Sequence, residues 1–83
     1  MKYKVPVKES PKINEVLETL SKDPEITFVY AGDTIYRVHV GDYGIAWDKL
    51  ANNITVVGPP ESYLVRKFND LVHEKSIKLE KVW

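Results

Sequence analysis

The chain contains no cysteine. That excludes a disulfide framework and any thiolate metal site. With only two histidines, His39 and His73, a zinc-stapled core is not expected either, and no metal ligands are assigned. A surplus of charge is also lacking, because twelve basic residues balance twelve acidic ones. Phosphate neutralisation supplies much of the affinity of dedicated nucleic-acid binders, so nucleic acid is not an expected partner unless a local patch provides it. No apolar run approaches the roughly 20 residues of a membrane span. Met1-Lys2-Tyr3-Lys4-Val5-Pro6 has charge without an apolar run behind it, which does not read as a signal peptide. The expected compartment is the cytoplasm, where the sequon Asn53-Ile54-Thr55 has no meaning.

Catalytic motifs are missing as well. There is no phosphate-cradling glycine loop, no His-Glu-x-x-His and no nucleophile elbow. No catalytic residue and no cofactor are therefore assigned.

What is present fits one small folded unit, residues 1–83. The apolar fraction of 43% and charged fraction of 29% are those of a globular chain, not a disordered one. A domain of this size has a net stability on the order of 5 kcal/mol, so a partner subunit would help. Abundant Lys, Glu, Ile and Val without cysteine is also a composition that thermophilic proteins favour.

Met1, Tyr3, Val5 and Val7 alternate with Lys2, Lys4 and Pro6, the period of a half-buried strand. Pro6 cannot donate a ladder hydrogen bond, so this strand is expected at a sheet edge or ending there. Ser10-Pro11 then opens a helix over about 11–22, with serine as cap and proline in the first turn. Its apolar stripe is Ile13, Val16, Leu17 and Leu20, and Pro24 ends it.

From about 26 to 57 the chain reads as a four-stranded antiparallel meander. Its turns fall at Gly32-Asp33, Gly41-Asp42 and Asn52-Asn53, pairs suited to positive φ. A two-residue turn at Gly41-Asp42 pairs Val40 with Tyr43, Val38 with Ile45 and Tyr36 with Trp47, placing six apolar residues on one face. For the first hairpin, a three-residue loop from Ala31 to Asp33 pairs Phe28 with Tyr36 and Ile26 with Val38, which puts Phe28 on that same face. A second helix over about 60–75 follows, with Leu64, Val65, Phe68, Leu71 and Val72 as its stripe, and then a short strand from Ile77 to Trp83. The fold class expected is α+β: a two-layer sandwich with both helices on one sheet face and short N- and C-terminal strands.

That register sends Arg37, His39, Ala46 and Asp48 to the opposite face. The plain reading of that face is a solvated surface with a cross-strand Arg37–Asp48 ion pair. The sharper reading is a ligand or partner site, in which a cation, an imidazole and a carboxylate surround the small residues Gly44 and Ala46. Tyr63 is read as covering the stems of Arg66 and Lys67. The tyrosines are weighed as base-stacking platforms, but most of them fall on the face assigned to the helices, so core packing is the reading taken. Trp83 is assigned to an interface.

The leading expectation is a non-enzymatic binding protein that forms a homodimer. The alternative is a nucleic-acid-associated protein using Lys2, Lys4, Arg37, Lys49, Arg66 and Lys67. A small enzyme with a site on the open face comes third.

Overall fold

In the computed structural model, which describes residues 1–82, every predicted strand and helix forms. The order is β1 (Lys2–Lys4), a single 3-10 turn (Val7–Glu9), α1 (Ser10–Ser21), β2 (Phe28–Ala31), β3 (Ile35–Val40), β4 (Tyr43–Asp48), β5 (Asn53–Val57), α2 (Tyr63–Glu74) and β6 (Glu80–Lys81). All six strands make one antiparallel sheet in the order β2-β3-β4-β5-β1-β6. The fold is α+β, with the meander β2–β5 forming one side of the sheet and β1 and β6 the other. Trp83, the expected interface residue, lies outside the described residues.

Of the two alternatives for the first strand, an edge position or an end at Pro6, the structure has the second. β1 is not an edge: it lies between β5 and β6, and the two edges are β2 and β6. The strand can be internal because it stops at Lys4, so the missing N–H of Pro6 falls outside the ladder. Val7, counted with the strand by its alternation, sits in the 3-10 turn and is left exposed.

That turn also changes how α1 begins. Ser10 is the first helical residue rather than its cap, because the preceding turn already supplies the curvature that the helix continues. Its hydroxyl instead donates to Asn52 Oδ1 at 3.3 Å, the oxygen that also accepts Trp47 Nε1. The predicted stripe holds, with Ile13, Val16, Leu17 and Leu20 all buried. α2 starts at Tyr63, later than Pro60. The N–H and hydroxyl of Ser62 both donate to the Pro59 carbonyl, closing a turn in which Pro60 is held. The stripes of both helices join Tyr36, Val38, Ile45, Trp47, Ile54 and Val56 of the sheet in one buried cluster. Helix α1 packs on β3 and on α2, and α2 reaches β4.

The β3–β4 hairpin has the expected register, Val40 with Tyr43, Val38 with Ile45 and Tyr36 with Trp47, around Gly41 at φ 58°. The β2–β3 hairpin does not. Phe28 pairs with His39, Val29 with Val38, Tyr30 with Arg37 and Ala31 with Tyr36. This is three residues away from the expected pairing, and an odd shift moves every β2 side chain to the other face. Two local interactions select it. The Gly32 N–H donates to the Ile35 carbonyl at 2.9 Å, closing a tight turn over Asp33-Thr34. The Ile26 N–H donates to the Asp23 carbonyl at 3.1 Å, which keeps Ile26 in the turn after α1 and out of the strand. The hydrophobic pattern gave no guidance because all four β2 residues are exposed, and a strand without a buried face has nothing to fix its register.

Candidate functional site

The register assembles the open face in rows. Tyr30, Arg37, Ala46, Thr55 and Lys2 stand side by side across five strands. The next row holds Phe28, His39, Gly44 and Val57. A third holds Ile35, Asp48, Asn53 and Lys4. Arg37, His39 and Asp48 therefore share a face, but they do not form one constellation. The Asp48 Oδ1 accepts the N–H groups of Leu50 and Ala51, each at 3.0 Å, and so caps the turn into β5. Among the described residues no ion pair joins it to Arg37. A short carboxylate two residues before a turn is satisfied by the nearest amides first, which is why the predicted cross-strand pair does not form.

Arg37 and His39 gather instead around an aromatic residue from β2. The His39 ring meets Phe28 edge-on, with centroids 5.5 Å apart. The Arg37 guanidinium carbon lies 5.6 Å from the centre of the Phe28 ring. The imidazole lies across Gly44 so closely that a Cβ there would come within 2.4 Å of its Nδ1. Tyr30 covers Gly32 in the same manner, with 2.6 Å to its ring. Both rings need a glycine floor, which ties the turn glycine and the strand glycine to the shape of this surface. Phe28 and Tyr30 remain about half exposed, at 45% and 50%.

Arg37 Nε is shielded from solvent yet has no hydrogen-bond partner. A buried donor left unpaired costs about 1–3 kcal/mol, more when charged, so the group is held in place by its neighbours rather than by a bond of its own. Phe28 and Tyr30 were not legible as members of this face. The stretch Phe28-Val29-Tyr30-Ala31 has no polar alternation from which a face could be read.

A second polar cluster was not foreseen at all. Asp23, buried just beyond α1, accepts Tyr63 Oη at 2.5 Å, Lys67 Nζ, and the Glu25 N–H at 2.9 Å. The hydrogen bond from Lys67, then those from Tyr63 and Glu25, lower its pKa to about 2. The Asp23 carboxylate in turn raises the pKa of Lys67. Tyr63 was expected over the stems of Arg66 and Lys67; what the structure shows is the Lys67 ammonium 5.6 Å from its ring centre. Beside this cluster runs a shallow cleft of about 340 Å³ lined by Tyr63, Arg66, Lys67, Asp70, Leu71 and Glu74. A carboxylate with so low a pKa is a poor proton acceptor at neutral pH, and what Asp23 does here is tie the loop after α1 to the first turns of α2. Glu9 makes a comparable tie, its Oε2 accepting the Lys78 N–H at 2.6 Å.

The six cations of the nucleic-acid reading do not form one patch. Lys49 donates to the Gly32 carbonyl at 3.0 Å and lies over Tyr36 and Trp47 on the helix side of the sheet. Arg66 and Lys67 are on α2. Only Lys2, Lys4 and Arg37 share the open face. No described helix is long and apolar enough to cross a membrane. No protein-family model, no curated protein and no solved structure matches the chain.

Proposed function

We propose that this chain is a non-enzymatic interaction protein that forms a two-fold homodimer through β2. The observation that carries the proposal is the contrast between the two sheet edges. β6 is two residues long and both are charged, Glu80 and Lys81, which is how edges are commonly protected from pairing. β2 has none of that protection. Its four residues, Phe28-Val29-Tyr30-Ala31, are all exposed and uncharged, and none is proline.

The main chain of β2 suits a second copy of itself. Gly32 bonds to Ile35 of β3, so alternation turns the amides and carbonyls of Val29 and Ala31 outward. A two-fold axis at Tyr30 would match Val29 of each chain with Ala31 of the other, satisfying all these groups in one closed contact. Trp83, the residue assigned to an interface, has no part in this contact.

Light scattering of the wild type, Val29→Lys and Ala31→Pro provides the test. The expected result is twice the 9.6 kDa chain mass for the wild type and a shift to monomer in both variants. A wild type that stays monomeric at high concentration would overturn the proposal. So would a dimer that both substitutions leave intact.

A further inference from the structure

We infer that the open sheet face is a binding platform for single-stranded nucleic acid, with bases stacked on Phe28 and Tyr30 and a backbone phosphate held by Arg37. Edge pairing at β2 uses main-chain groups in the plane of the sheet, so the inference does not depend on the dimer. These side chains stand above that plane.

Three observations converge on it. Phe28 and Tyr30 lie two residues apart on one face of one strand, about 7 Å along it, and both keep roughly half their surface open. Stacking on such rings tolerates any base, because every base has a π-face. Arg37 stands between them, paired across the strands with Tyr30 and lying over Phe28. Among the described residues no hydrogen bond or ion pair occupies its guanidinium, and its Nε is unpartnered. A planar cation lying over an aromatic ring, with no partner on its terminal Nη groups, suits a phosphate bidentately.

Charge complementarity is the third. The whole chain is neutral, but this face is not. Its cations Arg37, Lys2 and Lys4 outnumber its carboxylates Asp48 and Glu80, and both carboxylates fall in the Lys4 row, so the row from Tyr30 to Lys2 carries two cations and no carboxylate. From Tyr30 to Lys2 the row crosses four strand spacings, about 19 Å, over the small residues Ala46 and Thr55. That is a track several nucleotides long with an aromatic platform at one end and a cation at the other. An acidic peptide would use the cations but would have no use for two open rings at stacking distance.

Fluorescence anisotropy of a labelled oligothymidylate against the full chain tests the inference, with polyglutamate as the comparison ligand. Binding is expected at low salt and should weaken steeply as salt rises. Phe28→Ala and Tyr30→Ala should each weaken it roughly 5- to 150-fold, the range for loss of one stacked base. Arg37→Ala should also weaken it and flatten the salt dependence by about 0.7 in the log–log slope. Glu18→Gln, on the exposed side of α1, should change nothing. Circular dichroism of each variant checks that folding is kept. No binding at low salt would overturn the inference, as would binding that all three open-face substitutions leave unchanged. Polyglutamate binding as tight as the oligonucleotide, and equally lost in Tyr30→Ala, would assign the face to acidic proteins instead.

Discussion

Tyr63 at the start of α2 donates its phenolic proton to the buried carboxylate of Asp23, 2.5 Å away and forty residues earlier in the chain. Together with Lys67 this bond joins the end of one helix to the beginning of the other. The link is electrostatic, so pH controls it.

Asp23 is ionised in the folded state down to a pKa of about 2, below the ordinary value of 3.8. Between about pH 4 and pH 2 the unfolded chain therefore binds more protons at this site, and stability rises with pH there. The stabilisation is present above that window and is lost as pH falls through it. Asp23→Asn should lower Tm at neutral pH, with the difference from wild type shrinking as pH falls from about 4 through 2. Thermal melts across that range check it. A difference that stays constant with pH would show that the carboxylate's charge is not what matters.

The His39 imidazole occupies the space that a side chain at residue 44 would need. Gly44→Ala should cost about 1–3 kcal/mol, as overpacking does, and should drive the imidazole away from Phe28. In the His39→Ala background the same change should cost little. Denaturant titrations of the two single variants and the double variant measure the coupling. Additive effects would count against the stacking of His39 on Gly44.

Leu17 and Phe68 are buried in the common core, and large-to-small changes there leave cavities. Leu17→Ala should cost about 2–5 kcal/mol and Phe68→Ala about 3–5 kcal/mol. On a domain with a net stability on the order of 5 kcal/mol, either leaves little folded protein. Glu15→Ala and Asn69→Ala, on the exposed sides of the helices, should stay within about 0.5 kcal/mol. Glu15 does pair with Lys75 at 3.3 Å, but an exposed pair of this kind adds little. Equal effects at all four positions would mean that the helix faces are assigned wrongly.

Amide exchange reads the β2 edge directly. In the monomer, the Val29 and Ala31 amides should exchange fast while the Gly32 amide, bonded to Ile35, is protected. Protection of Val29 and Ala31 should then rise with protein concentration as copies pair. A strong Hα–Hα NOE between Val29 and Val38 should accompany it, since these residues oppose each other in a close pair without mutual hydrogen bonds. Its absence would invalidate the register and the composition of the open face with it.

The sequence by itself determined both helices and the central hairpin, because each carries a local signal with one physical reading. Ile13, Val16, Leu17 and Leu20 repeat at helical spacing, and Pro24 stops the helix they define. Gly41-Asp42 sets a turn whose two flanks bury Tyr36, Val38, Ile45 and Trp47 together, so turn geometry and burial agree on one register. The same logic correctly sent Arg37, His39 and Asp48 to the other face. Tertiary structure decided the rest. β2 lies at the edge of the sheet with every residue exposed, so burial could not choose its register, and the hydrogen bonds of Gly32 and Ile26 chose it instead. Asp48 turned to the nearest amides before Arg37 could reach it. Asp23 acquired its role only when folding brought Tyr63 and Lys67 to it, across 40 and 44 residues of chain. Periodicity records what one element must bury; it carries no trace of which distant side chain will arrive to satisfy a charge.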